Sequence, residues 1–116
     1  MRIRDFQRVI ERTYLERDRA RGLEATFMWF VEEVGELARD LQQHRAAGGG
    51  DGPVAPDSPL AREFADVLAW LSTLASIVGC DLEAAATAKY GGGCPRCGAV
   101  PCACSHRASP PPVETS

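Results

Sequence analysis

Apolar residues recur at helical spacing through most of the chain, and no segment alternates with the two-residue rhythm of a convincing strand. Ile3, Phe6, Val9, Ile10 and Tyr14 mark one face of a first helix over residues 3–21, with Arg and Glu between them. Gly22 supplies a stop. A second helix is expected from about Glu24 to Arg45, striped by Phe27, Phe30, Val31, Val34, Leu37, Ala38 and Leu41. The stretch 46–59 is too rich in Gly and Pro to continue a helix and reads as a flexible surface loop. Asp57 or Ser58 can cap a third helix, with Pro59 in its first turn, where the missing N–H costs nothing. That helix runs to about Val78 through Leu60, Phe64, Val67, Leu68, Leu71, Leu74 and Ala75, and Gly79 ends it. A short fourth helix follows from Leu82 to about Tyr90, and three glycines then break the chain.

The pattern predicts an all-α fold with three parts: a four-helix domain over residues 1–90, a cysteine-rich segment over 91–106 and a disordered tail over 107–116. Four helices in a chain of 116 residues bury only a thin core, so a second copy is expected to complete it as a dimer. A net charge of −3 argues against a partner that is a nucleic-acid polymer. No apolar run reaches the roughly 18–20 residues that span a bilayer, and the first residues lack a leader's apolar stretch. The expected place is therefore the cytoplasm, with no membrane partner.

The chemistry lies in the acidic residues. At about 100° per residue, Glu33, Glu36 and Asp40 gather on one edge of the second helix, and Trp29 joins them. On the third helix Glu63 falls inside the apolar arc, beside Phe64 and Val67, with Asp66 at its edge. An acid there is expensive to bury without a partner. Glu-Glu-x-x-Glu or Glu-x-x-Asp alone is most often a solvated helix face. Together, on helices that a loop turns antiparallel, they set four carboxylates against one another, which calls for a cation. Oxygen ligands alone favour Mg²⁺ or Mn²⁺ over zinc and leave positions for water and phosphate. Trp29 lies one turn before Glu33 and Trp70 one turn after Asp66, so antiparallel packing brings both indoles to one end of the cluster. That suits a nucleotide base.

The sequence FVEEVGELA, with 26 residues between its Glu36 and the Glu63-x-x-Asp66 of EFADVLAWL, resembles the MazG-like nucleoside triphosphate pyrophosphohydrolases over about residues 3–90. The resemblance implies a MazG-like helical bundle, a homodimer or tetramer, and hydrolysis of the α–β phosphate bond of (deoxy)nucleoside triphosphates to a monophosphate and pyrophosphate. It places magnesium ligands on Glu33, Glu36, Glu63 and Asp66, matches Glu32 to the family's first Glu, and puts Lys89 where relatives carry a phosphate-contacting base. Glu32 or Glu36 is the candidate to orient the attacking water or accept its proton. A related pyrophosphohydrolase acting on phosphoribosyl-ATP would keep the fold and change only the substrate.

Cys94, Cys97, Cys102 and Cys104 crowd into eleven residues, which in a reducing compartment reads as a zinc site sooner than as two disulfides. Four thiolates make a closed, structural shell, with His106 as a possible replacement ligand. Cys80 stands apart and reads as a small apolar residue. The competing reading of the whole chain is a zinc-knuckle interaction module without catalysis. The two differ over Glu63 and Asp66, which only an enzyme needs on an apolar edge.

Overall fold

The computed structural model describes residues 1–105. It contains four helices: α1 (Ile3–Arg21), α2 (Leu23–Ala46), α3 (Pro59–Ile77) and α4 (Leu82–Tyr90). No strand occurs among the described residues, so the fold is all-α. His106 and the tail expected to be disordered lie outside the described residues. The chain forms two compact units, one spanning Met1–Glu83 and a second beginning at Ala84.

The helix limits follow from local chemistry. Gly22 ends one helix and starts the next: its N–H donates to the Asp18 carbonyl at 3.1 Å, and its own carbonyl accepts from the Thr26 N–H at 3.1 Å. Its φ of +96° is a conformation that a side chain would strain. Of the two candidate caps for α3, Ser58 takes the role, its hydroxyl oxygen accepting from the Ala61 N–H at 3.2 Å. The helix ends in a Schellman turn, with the Cys80 N–H reaching the Ala75 carbonyl at 2.7 Å and the Gly79 N–H reaching Ser76 at 3.2 Å.

Within the first unit α3 is central and packs against both α1 and α2, which touch each other less. Trp29, early in α2, meets Trp70, late in α3, and Glu33 meets Glu63, so these helices run antiparallel. The seam between α1 and α3 is polar. The Gln7 amide donates to the Ser76 hydroxyl at 3.0 Å and to the Cys80 carbonyl at 2.8 Å, while its oxygen accepts from the Leu82 N–H at 2.9 Å. Asp18, also buried, pairs with Arg21 at 2.9 Å and accepts from the Thr73 hydroxyl at 3.2 Å.

The apolar stripes do not fill a core inside one chain. Only Leu60 and Ala75 are buried apolar residues among those described. Phe27, Val31 and Val34 on α2, and Phe64, Leu68 and Leu71 on α3, remain two-fifths to one-half exposed. The cause is the facing of the two helices. They meet along the edges that carry Glu33, Glu36 and Glu63, so these apolar residues turn outward.

Candidate metal and nucleotide site

Antiparallel packing of α2 on α3 brings three of the expected acids together. Glu33, Glu36 and Glu63 each offer an oxygen within 4.8 Å of the others. Glu63 is buried, and Glu33 and Glu36 are half-buried. Oε2 of Glu33 and Oε1 of Glu63 are shut from solvent without any hydrogen-bond partner. Orphaned acceptors of this kind are costly, because each has lost its water and gained nothing in exchange.

The electrostatics record the same crowding. A hydrogen bond to Glu33, then burial, then the charges of Glu33, Glu36 and Asp66 push the Glu63 carboxyl up to about 8. The Glu33 charge raises Glu36, burial adds to the effect, and Arg39 opposes it. Asp66 is raised by burial and by Glu33, and Arg62 pulls the other way. A cation bound among these acids would relieve the same crowding.

The donor set fits a hard divalent ion. It is made only of carboxylate oxygens, two of them unpartnered, all within 4.8 Å of one another. Asp66 is exposed, one turn from Glu63, and lies outside the tight trio. It lines a cavity of about 480 Å³ together with Glu33. Glu32 is exposed on another edge of α2, in a groove with Met28, Val31 and Arg39, and does not join the cluster. Asp40 likewise faces a different groove, beside His44 and Leu60.

Both tryptophans border the same cavity as Glu33 and Asp66. Their rings stack on each other, 6.1 Å between centroids and 9° from parallel. The Arg21 guanidinium lies 5.2 Å from the Trp70 ring. Helix α1 closes the remaining wall with Tyr14, Arg17 and Arg21. None of these α1 groups is among the candidates that the sequence singles out. The available signal was the spacing of Arg17 and Arg21, four apart and therefore on one face, just before the glycine joint.

The other expected residues belong to the second unit. Lys89 sits in the last turn of α4 with its ammonium 5.3 Å from the Tyr90 ring. The sulfurs of Cys94, Cys97, Cys102 and Cys104 lie within 4.8 Å of one another, and all are free thiols. Cys80 is a half-buried free thiol of the first unit, apart from that group.

A helical fold, without strands among the described residues, carrying glutamates from two antiparallel helices and paired indoles beside a cavity, defines a class of all-α proteins with a candidate site for a metal and a nucleotide. Residues 21–98 match the model of the MazG nucleotide pyrophosphohydrolase domain, and the chain belongs to that family. The matched stretch takes in α2, α3, α4 and the first two cysteines of the cluster, and leaves most of α1 outside. No curated protein matches the chain.

Proposed function

We propose that this protein hydrolyses nucleoside or deoxynucleoside triphosphates at the α–β phosphate bond, releasing a monophosphate and pyrophosphate, with Mg²⁺ or Mn²⁺ as its cofactor. The observation that carries the reading is the pair of buried, unpartnered oxygens on Glu33 and Glu63, set beside a cavity walled by two tryptophans. Glu33, Glu36 and Glu63 would hold the ion, with Asp66 completing the set from the cavity side. Bound there, the metal supplies a Lewis acid that neutralises charge on the phosphates and lowers the pKa of water.

The chain's own groups do the rest. Trp29 and Trp70 give the base a flat surface, and Arg17 and Arg21 answer the charge of the phosphate chain. Water adds to phosphorus, the bridging P–O bond breaks, and pyrophosphate leaves with the electron pair. Glu36 is assigned the water's proton ahead of Glu32, because it stands in the cluster and Glu32 faces another groove.

The open stripes of α2 and α3 support a homodimer, since a second copy covers like with like. We place the enzyme in the cytoplasm, where its five thiols stay reduced. The test is pyrophosphate release from a panel of NTPs and dNTPs with Mg²⁺ or Mn²⁺. Equal amounts of monophosphate and pyrophosphate are expected. Orthophosphate as the product, or no turnover of any member, overturns the reading.

A further inference from the structure

The unit beginning at Ala84 has no core of the usual kind. None of its described residues is buried, and α4 buries nothing. A segment this short cannot be held by apolar burial and needs a staple. What it does have is backbone aimed at sulfur. The Ala103 N–H donates to Cys97 Sγ and the Cys104 N–H to Cys102 Sγ, each at 3.3 Å. The loop from Cys94 to Gly98 is closed by the Gly98 N–H on the Cys94 carbonyl at 2.7 Å. Gly98 holds φ at +73°, which lets the chain turn straight after Cys97.

The sulfur spacing selects the occupant. Cys94 Sγ stands 3.8 Å from Cys104 Sγ and 3.5 Å from Cys102 Sγ. A disulfide requires about 2.05 Å. A tetrahedron built on zinc–sulfur bonds of about 2.3 Å has edges of about 3.8 Å. Four thiolates around Zn²⁺ leave a net double negative charge, and Lys89 and Arg96 border the same hollow as Cys94, Cys102 and Cys104.

We propose that Cys94, Cys97, Cys102 and Cys104 bind one zinc ion in a closed four-thiolate shell, and that this ion is the core on which the C-terminal unit folds. Its binding energy becomes folding energy of that unit. With four sulfurs bound, no position is left for substrate, so the ion is structural.

The test uses the full chain, purified reduced and passed through metal-free buffer. Elemental analysis is expected to find one zinc per chain, and Co²⁺ in its place is expected to give the absorption of a tetrahedral tetrathiolate. Cys97→Ser loses the ion, while Cys80→Ser and Glu36→Gln keep it. If Cys97→Ser fails to fold, thiol titration of the unaltered protein decides. One reactive thiol, rising to five when a chelator removes the metal, is the expected result. Five reactive thiols from the start, a mass lower by four hydrogens from two disulfides, iron in place of zinc, or zinc retained by Cys97→Ser overturns the proposal.

Discussion

Glu63 shows how one side chain states a function. Its neighbours on α3 are apolar, its carboxyl is buried, and one of its oxygens bonds to nothing. Its proton is held to about 8, against an ordinary 4.5, through the hydrogen bond to Glu33, burial and the surrounding acids. The unfolded chain surrenders that proton at the ordinary value. The stabilising effect of the proton on the folded state is therefore fully present below pH 4.5 and is lost as pH climbs to about 8. Metal-free protein is expected to melt lower at pH 8.5 than at pH 5.5, and Mg²⁺ should raise the melting temperature most at the higher pH, where no proton competes. Glu63→Gln is expected to remove both effects and to cost about 10²-fold or more in turnover, as loss of a metal ligand does. Scanning calorimetry with and without Mg²⁺, paired with pyrophosphate release, checks all three. The exceptional position of Glu63 was legible from the sequence because it rests on one helix's periodicity. Arg17 and Arg21 were not, because their relevance depends on which helix α1 packs against.

At the scale of elements, the joints were the most legible part. The residues that stop and start these helices act through bonds to neighbours three to five positions away, and Ser58, Gly22 and Gly79 all stand at the limits their chemistry dictates. Gly22 carries the most, since it ends α1 and begins α2 at φ +96°. Nothing crowds the place its side chain would take, so the strain of Gly22→Ala is purely conformational. The expected loss is about 1–3 kcal/mol, read from urea unfolding as a lower midpoint with an unchanged slope. Facing was harder to read than length. Periodicity gives each helix an apolar stripe and an acidic edge. It does not say which of the two meets the partner helix when both are available. The choice in favour of the acidic edges turned residues such as Phe27 and Phe64, read as core, into surface.

For the molecule as a whole, that choice is the basis of the proposed dimer. A chain that, among its described residues, buries two apolar ones and exposes Phe27, Val31, Phe64, Leu68 and Leu71 resembles half of an interface more than a finished domain. In the proposed dimer, a second copy laid on these stripes would stiffen the site, because α2 and α3 are also the helices that carry the carboxylates. Sedimentation is expected to show a dimer whose melting temperature rises with protein concentration. Phe64→Glu, exposed and outside the acidic trio, should yield monomers, a melting temperature independent of concentration and loss of turnover. A monomeric, fully active unaltered protein would contradict this.

The stacked indoles have an optical consequence. The chain has two tryptophans, and both stand on the wall of one cavity. Nearly all the protein's ultraviolet emission therefore originates where a base would lodge, with the Arg21 guanidinium beside it. A nucleotide sliding against or between those rings must alter their brightness and colour, so occupancy can be followed by light alone, without a label and without waiting for a product.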